Sequence, residues 1–78
     1  MARPKFYIHQ EAFVEARIDS GLSQRELAEA IDYSFSHVSQ VERGERHPSP
    51  RFVEKVCKLL NKSRHELFYT EKQKDFAS

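Results

Sequence analysis

Gly21-Leu22-Ser23-Gln24-Arg25-Glu26-Leu27-Ala28-Glu29-Ala30-Ile31-Asp32-Tyr33-Ser34-Phe35-Ser36-His37-Val38-Ser39-Gln40-Val41-Glu42-Arg43-Gly44 contains two helix starts and two helix stops in one short span. Ser23 and Glu26 have the spacing of a capping box, in which the serine oxygen accepts from a backbone N–H and the glutamate returns to the serine's own N–H. Leu22 and Leu27 flank the box as a hydrophobic staple. Leu27, Ala28 and Ile31 then share a face, which predicts a helix ending near Ile31. Ser34 is a second N-cap, with Tyr33 and Val38 at staple positions, Val38 and Val41 three residues apart, and Gly44 at the stop. Only Asp32 and Tyr33 separate Ile31 from Ser34. So short a link forces a sharp angle, and the second helix projects from the surface instead of folding back along the first.

Working outward, Ser49-Pro50 places a cap before a proline in the first turn, where its missing N–H costs nothing. Val53, Val56, Cys57 and Leu60 follow as the clearest amphipathic stripe of the chain. Ser63 and Glu66 repeat the capping-box spacing and lead into Leu67 and Phe68, a short fifth helix. On the other side, the segment from about Gln10 to Ser20 carries Phe13, Val14, Ala16 and Ile18 and ends at Gly21, which gives the first helix. The reading contains no internal repeat, no low-complexity tract and no strand pattern. It predicts a compact all-α, five-helix domain over 10–69, preceded by an N-terminal arm, 1–9, and followed by a polar tail, 70–78. Arg3 and Lys5 make the arm basic.

Composition narrows the function classes without choosing among them. The 78 residues are 38% hydrophobic and 32% charged, which suits a globular domain with a small core to which oligomerisation would add stability. No apolar run approaches the roughly 20 residues of a membrane helix, and Met1 to Phe6 shows no signal-peptide pattern, so a cytoplasmic location is expected. Cys57 has no partner for an internal disulfide, in keeping with a reducing compartment. The net charge of +1 makes local distribution, not the total, the electrostatic question. His9, His37, His47 and His65 lack zinc-site spacing with Cys57, which reads as a core residue of its stripe. Glycine-rich phosphate loops and nucleophile elbows are missing, and the serines cap helices. No enzyme activity, metal or cofactor is expected.

The residues Gly21 to Ala28, followed by Ser34-Phe35-Ser36-His37-Val38-Ser39-Gln40-Val41-Glu42-Arg43-Gly44-Glu45-Arg46-His47-Pro48-Ser49, resemble the phage repressor and Cro-like helix-turn-helix family, also called the xenobiotic-response-element family. The resemblance runs from about Phe13 to Phe68 and is similar in scale to restriction-modification controller proteins. It implies a five-helix, lambda repressor-like DNA-binding domain that acts as a dimer on a palindromic operator. At one position the pattern departs: Asp32 stands where the family usually has glycine, although aspartate tolerates a left-handed backbone better than most residues.

DNA contacts can then be assigned as expectations. Opposite Val38 and Val41, the residues Ser36, His37, Ser39 and Gln40, with Phe35 at the N-terminal end, would face the major groove, which is about 12 Å wide and admits one helix. Gln40 could pair bidentately with adenine and Phe35 could lie on a thymine methyl, suggesting a half-site containing T and A. The alternative for Phe35 is that it folds into the core. Free N–H groups at the start of the preceding helix favour a phosphate; Gln24 matches the family's phosphate-clamping glutamine, and Ser23 can combine capping with contact. Arg43, Arg46, His47 and Arg51 form a backbone-gripping edge. Arg17 and Glu42 match family positions that form a structural ion pair. The fourth and fifth helices, with Leu59, Leu67, Phe68 and Tyr69, are the expected homodimer surface. The competing reading is an antitoxin or adaptor whose helix-turn-helix domain binds mainly another protein; a dedicated interaction module would be expected to need more chain after Phe68.

Overall fold

The computed structural model describes residues 5–70. Five helices and a two-stranded sheet follow in the order β1 (Phe6–Ile8), α1 (Gln10–Asp19), α2 (Gln24–Ile31), α3 (Phe35–Glu42), α4 (Pro50–Leu60), α5 (Arg64–Leu67) and β2 (Phe68–Thr70).

Capping chemistry sets the helix starts. Ser23 Oγ accepts from the Glu26 N–H at 3.0 Å while the Ser23 N–H donates to Glu26 Oε1 at 2.9 Å, completing the reciprocal box. Ser34 Oγ accepts from His37 N–H at 3.0 Å, and Ser49 Oγ accepts from Phe52 N–H at 3.2 Å, with Pro50 opening α4. At Ser63 both the backbone N–H and the hydroxyl donate to the Glu66 carboxylate, at 2.7 and 3.0 Å.

The turn between α2 and α3 rests on Asp32, whose φ of 62° and ψ of 45° are left-handed. The N–H groups of Asp32 and Tyr33 close the last turn of α2 by donating to Glu29 and Ala28 carbonyls, at 3.3 and 2.9 Å. Lys55 Nζ, from α4, donates to the Ile31 carbonyl at 3.0 Å and satisfies another group at this helix end. Asn61 performs the same left-handed service after α4.

One core runs through the domain, built from Phe13 and Ala16 of α1, Leu27, Ala28 and Ile31 of α2, Val38 and Val41 of α3, and Phe52, Val53, Val56 and Leu60 of α4. Leu67 and Phe68 complete it at 1% and 0% exposure. They are therefore not available for contact between copies, a correction to the expected dimer surface, on which Leu59 is exposed. Ile18 also departs from expectation. It is exposed on α1, since Phe13 and Ala16, three apart, already define the inward face.

The five helices bear out the all-α reading, to which the structure adds a small sheet of two three-residue strands. Phe6 pairs with Thr70, Tyr7 with Tyr69 and Ile8 with Phe68, antiparallel. Alternation puts Phe6 and Phe68 into the core and leaves Tyr7 and Tyr69 on the other face, where their rings stack at 5.3 Å. Residues 6–8 of the expected arm thus pack as part of the domain; Arg3 lies outside the described residues. Three-residue strands are too short to display a period of two, and their partners lie at opposite ends of the chain.

Candidate nucleic-acid interface

Polar groups behind α3 are closed against one another. Arg17 Nη2 and Nε donate to Glu42 Oε1 and Oε2 at 3.0 and 3.2 Å, with the side chains 13% and 7% exposed. Arg17 Nη1 donates to the Leu22 carbonyl at 2.9 Å, and Gln10 Nε2 donates to the Glu42 carbonyl at 3.2 Å. This arrangement ties α1 to the start of α2 and to the end of α3. Gly44, at φ 78°, ends α3 in a conformation that side chains rarely adopt, and an added Cβ there would lie 3.2 Å from Gln10 Nε2.

The outer strip of α3 begins with Phe35 and Ser36, both exposed. Phe35 is 41% exposed and is covered by the Arg25 guanidinium, 4.6 Å from the ring centroid. The alternative that Phe35 enters the core is thereby excluded. Arg25 itself carried no signal in the sequence, because its contact with Phe35 exists only once the turn has crossed α2 over α3.

Ser39 is placed differently from expectation. It is 8% exposed, and its Oγ accepts from Arg43 Nη1 at 2.8 Å. The inward face of α3 spans Val38, Ser39, Val41 and Glu42, wider than the two valines alone imply, so Ser39 belongs to the packed side and not to the outer strip.

His37 and Gln40 are half-buried and meet on Arg46. Arg46 Nε donates to Gln40 Oε1 at 3.2 Å, and Arg46 Nη1 lies 3.2 Å from His37 Nδ1. The imidazole stacks on Phe52 at 5.5 Å and meets Tyr33 edge-on at 4.8 Å. Burial, and secondarily the Arg46 charge, holds His37 below its ordinary pKa of 6.5.

The basic edge is more heavily engaged than its composition suggests. Arg43 Nε and Nη2 each donate to the Glu45 carboxylate at 3.0 Å, in an exposed pair. Hydrogen bonding to Arg43, reinforced by its charge, holds the Glu45 carboxyl below its ordinary range and raises Arg43. His47 is exposed and meets the Tyr7 ring at 4.9 Å, and Arg51 stands exposed in the first turn of α4. Gln24 and Arg43 line a shallow depression of about 460 Å³ together with Gln10 and Glu42. Ser23 is exposed with its Oγ engaged as a cap. Among the described residues no three His, Cys, Asp or Glu side chains gather as a metal site. Cys57 is half-buried beside the core, and burial pushes its thiol pKa up. Among the same residues no helix is long and apolar enough to cross a membrane.

A tight turn on a left-handed residue, followed by a helix with an exposed outer strip and an inward face packed on the core, defines the helix-turn-helix class. The helix-turn-helix family profile matches residues 14–67, and the chain belongs to that family, of the phage repressor and Cro type, whose members are DNA-binding transcriptional regulators. Among solved structures it is similar to the restriction-modification controller protein C.AhdI from Aeromonas hydrophila, at 33% identity and TM-score 0.67 over 73% of this chain and 86% of that one. It is also similar to the clp gene regulator ClgR from C. glutamicum, at 35% identity and TM-score 0.64 over 73% of this chain and 74% of that one. A hypothetical transcription factor, NHTF from Neisseria, shares the fold at 23% identity and TM-score 0.70 over 88% of this chain and 79% of that one. No curated protein sequence matches the chain significantly.

Proposed function

We propose that the protein is a sequence-specific regulator of the repressor or controller type that reads double-stranded DNA with α3 in the major groove. The observation that carries this reading is the exposed start of α3: Phe35 and Ser36 stand outward while Val38, Val41 and Glu42 fasten the opposite side to the core. In this reading Phe35, Ser36, His37 and Gln40 form the reading strip, with only Phe35, Ser36 and Gln40 able to reach base edges because the His37 ring is packed. Ser23, Gln24, Arg43, His47 and Arg51 contact the backbone, the first two by way of the α2 N-terminus.

A homodimer on a palindromic operator would set two copies of α3 about 34 Å apart along one face of the duplex. Support for α4 and α5 as the surface between copies comes from exposed Leu59 and from a broad depression of about 710 Å³ lined by Phe6, Val53 and Cys57 among others. A DNA partner accords with the expected cytoplasmic location.

Selection of bound sequences from random duplexes, followed by a salt titration on the winner, tests the proposal. The expected result is an enriched palindrome whose affinity falls steeply with salt. An unenriched pool would overturn it in favour of a domain that binds mainly another protein.

A further inference from the structure

Arg46 lies in the loop after α3 but turns back onto that helix, where it contacts two side chains of the reading strip at once. A guanidinium has donors only and keeps its charge at any ordinary pH, so whatever faces it must accept. The Gln40 atom 3.2 Å from Arg46 Nε is the carbonyl oxygen, which leaves the Nε2 hydrogens directed elsewhere. The His37 Nδ1 facing Arg46 Nη1 carries a lone pair, so the ring is neutral with its proton on Nε2.

The ring is a firm anchor for this arrangement. His37 is stacked on Phe52 with an angle of 16° between planes and meets Tyr33 at 73°. Its Nε2 is buried with no hydrogen-bond partner. Moving the proton to Nδ1 would leave the lone pair on the buried Nε2 and turn an N–H toward Arg46, setting donor against donor. Reversing the Gln40 amide would do the same with its NH₂ group. The fork of Arg46 therefore ties the orientation of an outer side chain to an aromatic contact with α4.

We propose that Arg46 is a positioning residue that holds Gln40 with its amide donors outward, so that Gln40 reads an acceptor-rich base edge, guanine, and not adenine. Guanine offers N7 and O6 as acceptors in the major groove, whereas bidentate pairing with adenine requires the glutamine carbonyl to accept from N6. In this chain that carbonyl is turned to Arg46. The inference rests on the reading of α3 as the groove helix and replaces the adenine preference that Gln40 suggests by residue type alone.

The test compares the full chain with Arg46→Lys, Gln40→Ala and the double variant by selection from random duplexes, with circular dichroism as a check of folding. Lysine retains the charge but cannot span Gln40 and His37 with one planar fork. The wild type should enrich guanine at one position of each half-site, and Gln40→Ala should relax that position by about tenfold or more. Arg46→Lys should relax the same position, letting adenine rise, with an unchanged slope of affinity against salt, and the double variant should relax it no further than Gln40→Ala. The inference is overturned if the position relaxed by Gln40→Ala is adenine in the wild type, or if Arg46→Lys weakens all sequences equally without changing preference. The wild-type and Gln40→Ala profiles decide the first point even if Arg46→Lys folds poorly. A wild-type pool without enrichment would instead sink the groove reading itself, and this inference with it.

Discussion

Glu42 and Arg43 are neighbours in the chain, and each closes a carboxylate–guanidinium pair with two contacts, one from Arg17 and one to Glu45, both at 3.0 Å in their shortest distance. The surroundings differ. Arg17 and Glu42 are 13% and 7% exposed and share their remaining groups with Leu22 and Gln10, whereas Arg43 and Glu45 are 56% and 57% exposed. In the first pair the charges were removed from water when the helices closed, so each depends on the other. In the second, water screens both, and the pair adds little to stability. The same chemistry thus joins α1 to α3 through Glu42 and leaves an exchangeable cation at the next residue, Arg43, where a phosphate could take the place of Glu45.

Removing one partner of the closed pair gives the largest expected effect. Glu42→Ala leaves the Arg17 charge largely buried, and a loss of about 3 kcal/mol is expected, lowering the melting temperature by roughly 12 °C or more. Thermal melting followed by circular dichroism measures it. An unchanged melting temperature would erase the distinction between the two pairs.

A smaller effect, of known direction, concerns His37, which lies on α3 ahead of Glu42 and Arg43. Its folded pKa is below the ordinary 6.5, so the folded chain favours the neutral ring more than the unfolded chain does. The stability this contributes is whole above pH 6.5 and is lost as pH falls through the folded value. Arg46, Tyr33 and Phe52 all face the ring and none can compensate its charge. Denaturant unfolding between neutral and mildly acidic pH should therefore show a loss of stability that is reduced in His37→Phe. Equal slopes in the two proteins would remove His37 from the account.

Glu45→Gln should have the smallest effect on folding and the most informative one on binding. Its melting temperature should match the wild type, while DNA affinity rises and the slope of log affinity against log salt steepens by about one, as Arg43 becomes free for a phosphate. Reduced stability, or an unchanged salt slope, would mean that the exposed pair is structural after all.

Most of the helical frame was legible in residues close together in the chain. A capping box needs only Ser23 and Glu26, and the left-handed turn needs only a residue that tolerates it, which Asp32 does. The outer strip was legible in part: the placement of Phe35 and Ser36 agrees with a helical wheel, but Ser39 is small enough to be covered by Arg43 and joins the packed side. Arg46 was expected to face phosphate because an arginine in a basic loop usually remains solvated; its acceptors are on the preceding helix.

Local order along the chain was therefore enough to specify five helices, their boundaries and the sharp turn that defines the family, because capping and amphipathic periodicity act over three or four residues. Three-dimensional packing alone settled the pairing of Phe6–Ile8 with Phe68–Thr70, the burial of Leu67 and Phe68, and the direction in which Gln40 presents its amide. Those outcomes depend on contacts between residues brought together only by folding, and on which side chain reaches a shared acceptor first in space, and neither leaves a periodic trace in the order of amino acids.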